Sequence, residues 1–369
     1  MSNPVAWWQK FNYAHPAGLK PASVRVVTRA ASWGYGLVSA AWHAGYDLGL
    51  RRVIKTPLPV IGVGNLAAGG TGKTPLVIKV VETLLSMGLK SAVISRGHGR
   101  RGVHDYLWVS KGRGPEVRVE ESGDEPYLLA QRLPVPVIVG KDRVRLVEEI
   151  LRVCGPVVVV GDDLFQHRRL YRDLDIVALD AGQPLGNGHM LPLGPLREPA
   201  GGLRRAQVLI LTRADNQAQL ARARVWLRGF WGEGPILDCR HQINALGGRQ
   251  GDLITDWKDK KVMAFCALAN PRAFRNSLQS LGLTVVHLMS FPDHHWFDRQ
   301  DWRNIQAEAL RLGVSAIVTS EKDATRLPEH FTGDIDLWIS RLELVFPHDH
   351  LARVLAWGLS GYNYSKKTL

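Results

Sequence analysis

The chain has 369 residues, a length that favours two domains over one. Charged residues at 22% and hydrophobic residues at 45% exclude a globally disordered chain. With 47 Lys and Arg against 34 Asp and Glu, the net charge of +13 points to anionic partners, whether nucleic acid, anionic lipid or a phosphorylated substrate. The three cysteines, Cys154, Cys239 and Cys266, have neither CxxC nor metal-ligand spacing, so a disulfide scaffold and a zinc site are not expected.

The first 55 residues stand apart. No basic start, apolar run and small-residue cleavage site mark a targeting peptide. The charge-free stretch 30–46 holds Gly34, Gly36, His43 and Gly45 and falls short of the ~20 apolar residues that span a bilayer. Around it, Lys10, Lys20, Arg25, Arg29, Arg51, Arg52 and Lys55 face a single acid, Asp47. Trp7, Trp8, Phe11, Tyr13, Trp33, Tyr35, Trp42 and Tyr46 lie among them. A Trp- and Tyr-rich cationic segment too short to span suits a helix lying in a membrane interface. A helical pair covering the domain core, with its cations in water, fits the same residues.

From residue 58 the pattern is strand, turn, helix, repeated. Apolar runs at 60–63, 92–94, 137–139, 157–160, 176–179 and 208–211 read as buried parallel strands. Leu76, Val77, Val80, Val81, Leu84 and Leu85 recur at helical spacing after Lys73. A second set starts near Lys261, with strands at 262–266, 284–288, 316–319 and 336–339 and helices at 271–281, 301–312 and 348–359. Residues 230–260 are rich in glycine and turn signals. The expected division is a basic, aromatic segment at 1–55, a P-loop domain at 56–235 and a second, smaller α/β domain at 236–369.

Gly64-Asn-Leu-Ala-Ala-Gly-Gly-Thr-Gly-Lys-Thr74 follows an apolar strand and opens an amphipathic helix, the context a P-loop requires. Gly69, Gly70, Thr71 and Gly72 would present backbone N–H groups to phosphates, Lys73 would reach the β- and γ-phosphates, and Thr74 would offer its hydroxyl to Mg²⁺. Ala67 occupies the position of the first glycine of the generic pattern. The strand 157–160 ends in Asp162 and Asp163, carboxylates suited to Mg²⁺ beside a P-loop. Gln166 and His167 follow and would face the same crevice. These features predict a parallel α/β sheet of P-loop NTPase type that uses ATP and Mg²⁺.

Read in order, the motifs resemble those of the tetraacyldisaccharide 4′-kinases. They include Val63-Gly-Asn-Leu with Gly69-Gly-Thr-Gly-Lys-Thr-Pro75, Ser95-Arg-Gly97, Gly123-Asp-Glu-Pro126, and Asp162-Asp163 with Phe165-Gln-His167. Arg172-Asp-Leu-Asp-Ile176, Leu191-Pro, Gly194, Leu196-Arg-Glu-Pro199, Asn270-Pro271, Phe291-Pro-Asp-His-His295 and Glu321-Lys-Asp323 continue the series, so that the likeness covers about residues 58 to 327. The chain departs from the family pattern at His98, where Tyr is usual, at Leu164, where Gly is usual, and at the glycine-poor Ala267-Leu-Ala269.

The resemblance implies transfer of the γ-phosphoryl of ATP to the 4′-hydroxyl of a glycolipid, tetraacyldisaccharide 1-phosphate, giving lipid IVA in lipid A biosynthesis. It implies work at the cytoplasmic face of the bacterial inner membrane, peripheral or monotopic through the N-terminal segment, with two α/β domains closing on nucleotide. It also implies an Asp–His pair for proton transfer, here Asp124 and His294, with His295 the alternative within the pair. Arg197 and Glu198 become candidates to close on the nucleotide, Arg197 stabilising γ-phosphoryl charge. Arg96 and Arg100 become candidates for the acceptor's 1-phosphate, and Glu321-Lys-Asp323 a structural tie. A monomer is expected and no nucleic-acid partner. Two competing readings remain from the residues themselves. One is a switch NTPase, hinted at by Thr212-Arg-Ala-Asp215; the other is a nucleic-acid-dependent ATPase, suggested by the charge.

Overall fold

The computed structural model describes residues 22–102, 104–249, 252–328 and 333–362. The early cations Lys10 and Lys20 and the aromatics Trp7, Trp8, Phe11 and Tyr13 lie outside the described residues. The described chain forms two compact units, one of 22–240 with 346–362 and one of 241–345.

The first unit opens with helix α1 (Ala22–Asp47) and then winds a sheet. Its elements are β1 (Val60–Gly64), α2 (Lys73–Ser86), β2 (Ser91–Ser95), β3 (Tyr106–Lys111), α3 (Val119–Ser122), α4 (Asp124–Arg132), β4 (Pro136–Gly140), α5 (Arg143–Cys154), β5 (Val158–Asp162) and β6 (Leu174–Asp180). A 3₁₀ turn (Ala200–Arg205), β7 (Val208–Thr212), α6 (Gln217–Trp231) and β8 (Ile236–Asp238) complete the sheet. The strand order is β3-β4-β2-β5-β1-β6-β7-β8. Every pairing is parallel except that of β3 with β4.

Each apolar run expected as a strand is one, because β-branched residues with no polar face need cover on both sides. Val60, Ile94, Ile138 and Val159 pack with Val144, Val147 and Ile150 of α5, whereas Val177, Leu179, Leu209 and Leu211 pack with Leu220, Ala223 and Leu227 of α6. The antiparallel strand β3 was not foreseen: only part of it is buried, so its sequence carries no continuous apolar run.

The second unit holds β9 (Arg240–Gly247), whose first residue belongs to the first unit, and β10 (Leu253–Ile254), β11 (Lys261–Cys266), α7 (Pro271–Ser280), β12 (Thr284–Ser290), α8 (Arg299–Leu312), β13 (Ala316–Ser320), α9 (Glu321–Ala324) and β14 (Leu337–Val345). The order is β10-β9-β14-β13-β11-β12. Alternate residues of β11 feed two cores, as the two-residue strand period dictates. Val262, Ala264 and Cys266 meet Phe274 and Leu278, whereas Met263 and Phe265 meet Trp302, Ile305 and Ala309.

The glycine-rich stretch 230–260 contains β8, β9 and β10, and the change of unit falls within it, at 240/241. The C-terminal helix α10 (His350–Gly358), expected with the second domain, belongs to the first unit and packs against α2. Gly358 also brings α10 close to β6, since a Cβ there would lie 2.9 Å from Leu174 Cδ2.

Helix α1 is inside out. Ser32 and His43 are buried and Thr28, Gly36 and Ser39 half-buried, whereas Trp33, Leu37 and Val38 are 71–73% exposed. Among the described residues no helix is long and apolar enough to cross a membrane. The return of α10 gives a test. Leu355 is fully buried, and Leu355→Ala is expected to cost about 2–5 kcal/mol, the scale for a large-to-small core change. Urea unfolding followed by circular dichroism measures it.

Candidate active site

The site grows from the register of β1 and β5. Val63 pairs with Asp162, so the end of the acidic strand lies level with the start of the glycine loop. The chain passes from Gly64 through the loop into α2, whose cap residue Gly72 is left-handed at φ 82°. Glycine supplies that backbone conformation without a Cβ clash. Gly64 is required for a different reason: a Cβ there would lie 2.8 Å from the Phe165 backbone nitrogen.

Side chains then fix the loop from several directions. Asn65 Nδ2 donates to Thr71 Oγ1 (2.9 Å) and to the Ala67 carbonyl. Lys73 Nζ lies 3.1 Å from Asn65 Oδ1 and 3.3 Å from Asp163 Oδ1. Thr212 Oγ1 donates to the Thr71 carbonyl at 3.0 Å. Arg213 pairs with Asp180 and donates to the Gly70 carbonyl at 2.6 Å. The Thr212-Arg-Ala-Asp215 run, a hint of a base-reading element in the sequence, therefore has a loop-holding role in its first two residues.

The acidic pair splits into two roles. Asp162 is almost fully buried; Ser95 Oγ donates to its Oδ2 at 3.0 Å, and its Oδ1 has no hydrogen-bond partner among the described residues. Burial, with the added negative charge of Glu125 and Asp163, pushes its carboxyl up to about 7. Asp163, with a left-handed φ of 53°, accepts from Arg197 Nη1 at 2.9 and 2.8 Å and faces Lys73. Burial raises its pKa, but the two cations outweigh that and hold it at about 2.

An orphaned, buried carboxylate oxygen within the field of the P-loop lysine suits a hard cation such as Mg²⁺. Among the described residues no group of three or more His, Cys, Asp or Glu forms a protein cage for a metal. That agrees with the habit of Mg²⁺, which takes one or two carboxylates and completes its shell with water and phosphate. Asp163, expected as a second metal ligand, is instead engaged by Lys73 and Arg197.

Other expected residues divide similarly. Gln166, expected to face nucleotide, donates to the Asn65 carbonyl (2.8 Å) and to Glu198 Oε1 (2.9 Å), which makes it a brace beneath the loop. Glu198, expected to close on nucleotide, is fully buried against Arg205, Gln166 and His43. Leu164, the departure beside the carboxylates, points into the core: a Cβ on Gly161 would lie 2.5 Å from its Cγ. Arg100 donates to the His104 carbonyl at 2.6 Å, whereas Arg96 and His98 are exposed.

Asp124 is nearly buried at the head of α4 and accepts from the Glu125 N–H at 3.0 Å. Its neighbour Gly123 abuts the Ser95-Arg-Gly97 turn, since a Cβ there would lie 2.8 Å from the His98 carbonyl. In the second unit the two histidines differ sharply. His295 Nε2 lies 2.7 Å from Asp301 Oδ2, and its ring stacks on Phe291 and meets Phe297 edge-on. His294 is exposed, with a left-handed φ of 59° and Nε2 3.4 Å from Lys322 Nζ. Its backbone N–H donates to the Ala267 carbonyl (3.3 Å), and the Ala267 N–H donates to the buried Asp323 (3.2 Å). Asp323 pairs with Arg326, so the Glu321-Lys-Asp323 motif ties structure together within its own unit.

The sequence profile of the tetraacyldisaccharide-1-P 4′-kinases (LpxK) matches residues 24–358. The chain belongs to this family. A tetraacyldisaccharide 4′-kinase of Anaeromyxobacter dehalogenans (strain 2CP-C) is 38% identical over 327 residues, covering 87% of this chain and 85% of the relative. One from Syntrophus aciditrophicus (strain SB) is 40% identical over 295 residues, covering 76% and 79%. A crystal structure of LpxK from Aquifex aeolicus in complex with ATP superposes with a TM-score of 0.73 at 30% identity, covering 91% of this chain and 99% of that one. Family membership accounts for the ordered motifs, and it leaves Asn65, Ser95, Thr212 and Arg213 as site neighbours whose roles only the geometry reveals. Of these, Asn65 and Ser95 stood inside quoted motifs, and Thr212 and Arg213 inside the Thr212-Arg-Ala-Asp215 run that had hinted at base reading.

His167 supplies a pH test. Its Nε2 is buried without a partner among the described residues, and burial, aided by Arg143 and Arg172, lowers its pKa from 6.5 to about 4. Between those values the unfolded chain binds more protons, so stability is full above pH 6.5 and falls as pH drops toward 4. This group is expected to contribute a loss on the order of 2 kcal/mol. Urea unfolding at pH 7.5 and 4.5 checks it, and His167→Gln is expected to flatten that part of the profile.

Proposed function

We propose that this chain transfers the γ-phosphoryl of ATP to the 4′-hydroxyl of tetraacyldisaccharide 1-phosphate, a step of lipid A biosynthesis. One observation carries the reading furthest: a P-loop lysine held between Asn65 and Asp163, near a buried carboxylate oxygen of Asp162 with no hydrogen-bond partner among the described residues. Both lysine contacts exceed 3 Å and can yield to a phosphate oxygen. The backbone N–H groups from Gly69 to Lys73 would cradle the phosphates at the head of α2. Asp162 and Thr74 are the residues that would hold Mg²⁺, which when bound would neutralise phosphate charge. Arg197, docked on Asp163, stands ready to meet charge on the transferred group.

For the proton of the sugar hydroxyl, the reading takes Asp124 and His294. Asp124 is supported by its near-burial beside the Ser95-Arg-Gly97 turn, and His294 by its exposed ring. His295 is committed to Asp301 and two phenylalanines. Arg96, exposed beside His98, is the better placed of the two turn arginines for the acceptor's 1-phosphate. Lys73→Ala is expected to lower kcat by about 10²-fold or more. Asp124→Asn and His294→Ala are each expected to lower it by about 10²–10⁴-fold with KM for ATP nearly unchanged, and the double variant little more. Steady-state kinetics with radiolabelled ATP tests this. A severe His295→Ala beside a mild His294→Ala would reassign the base.

The acceptor's lipid nature gives the inverted helix a purpose. Trp33, Leu37 and Val38 would enter the interfacial layer of the inner membrane from its cytoplasmic face, with Arg51 stacked 3.5 Å over Trp42 at the helix end. The working unit proposed is a monomer on that surface. Trp33→Ser with Leu37→Ser is expected to shift protein from the vesicle pellet to the supernatant in co-sedimentation and to raise KM for a bilayer-embedded acceptor. Unchanged partition would return the helix to the role of core cover.

A further inference from the structure

The inward face of α1 is polar, which a helix serving only as a hydrophobic cover does not need. Its contacts converge on a short stretch of chain. Ser32 Oγ donates to the Met190 carbonyl at 2.8 Å. Tyr35 OH and Ser39 Oγ both donate to the Arg197 carbonyl, at 3.0 and 3.3 Å. His43 Nε2 lies 3.4 Å from Glu198 Oε2. From the other side, Arg168 Nη1 donates to the His43 carbonyl (2.9 Å) and Nη2 pairs with Asp47 (2.6 Å).

Two of the residues so held, Arg197 and Glu198, connect to the phosphate loop. Arg197 runs from its α1-bound carbonyl to a guanidinium that grips both oxygens of Asp163. The Arg197 N–H donates to the Leu66 carbonyl at 2.9 Å, so the same residue also tethers the loop. Glu198 accepts from Gln166, which braces Asn65, the residue that steadies Lys73. Two short paths therefore lead from α1 to Lys73: one through Arg197 and Asp163, one through Glu198, Gln166 and Asn65.

We propose that α1 is a positioning element of the phosphoryl-transfer site, with Tyr35, Ser39 and His43 as positioning residues that set Arg197 and Glu198 in place. This rests on the reading of Arg197 given above and extends it. The helix thus has two separable faces, an outer apolar one for lipid and an inner polar one for chemistry. Small displacements suffice for such an effect, because misplacing a catalytic group by about 1 Å can cost on the order of 10²-fold in rate.

The two hydroxyls on the Arg197 carbonyl allow a mild test in the full-length chain. In Tyr35→Phe/Ser39→Ala, kcat measured with acceptor in detergent micelles is expected to fall about 10-fold, within that scale. KM for the micellar acceptor and co-sedimentation with vesicles are expected to stay within about twofold, since Trp33, Leu37 and Val38 are untouched and the ring at 35 is kept. Tyr35→Phe/Ser39→Thr keeps one hydroxyl and is expected to recover most of the lost kcat. His43→Gln, which retains a donor toward Glu198, is expected to exceed His43→Ala in kcat at equal thermal midpoint. Unchanged kcat in Tyr35→Phe/Ser39→Ala, or a loss that Ser39→Thr does not recover and that follows the thermal midpoint or vesicle binding instead, would overturn the proposal. Arg197→Ala, assayed in parallel, separates the two claims. If it turns over as wild type, the reading of Arg197 fails. If it is severely impaired while the α1 variants are not, the positioning role alone fails.

Discussion

The parallel pairing of β1 with β5 is the constraint on which the site depends. It sets Val63 opposite Asp162, and everything chemical follows from what the chain does next on each strand. On β1 the chain leaves the sheet through glycines into α2; on β5 it turns at once through Asp163 in a left-handed conformation. A one-residue slip would exchange inward and outward side chains along the whole strand. Both strands are buried along their whole length, which leaves no room for that slip.

Two adjacent carboxylates end up with opposite electrostatics because their surroundings differ. Asp163 has two cations, Lys73 and Arg197, and stays ionised far into acid. Asp162 has one hydroxyl, little solvent and two negative neighbours, and the nearby Lys73 only partly offsets them, so its charge is under-compensated by the protein. A site proposed to accept a divalent ion and a polyphosphate would gain from such a split. One carboxylate keeps the cations in order before substrate arrives, and the other keeps an oxygen open.

Legibility in the sequence followed burial and local chemistry. Strands with unbroken β-branched runs, and the glycine loop with its lysine, could be read directly, since both signals are local. Half-buried β3 and the edge strands β8 and β10 could not, because their pattern is that of a loop with a few apolar residues. Gln166 and Glu198 stood within recognisable motifs, yet their amide and carboxylate serve the backbone and each other rather than facing the crevice. Sequence spacing says which residues are near the site and is silent on which way they point. Arg213 and Tyr35 come from segments far from the loop, and their contacts depend on the whole sheet being assembled.

The return of α10 to the first unit means that the second unit interrupts the first rather than following it. The first unit lacks the helix that covers part of α2 until the intervening 241–345 stretch has been made. At about 5–20 residues per second of synthesis, that interval lasts on the order of 5–20 s. Through it, the face of α2 awaiting α10 has no permanent cover, while the apolar outer surface of α1 has already emerged. The nascent chain thus passes through a stage in which two sticky surfaces coexist, one to be sealed by its own last helix and one left open in the finished protein.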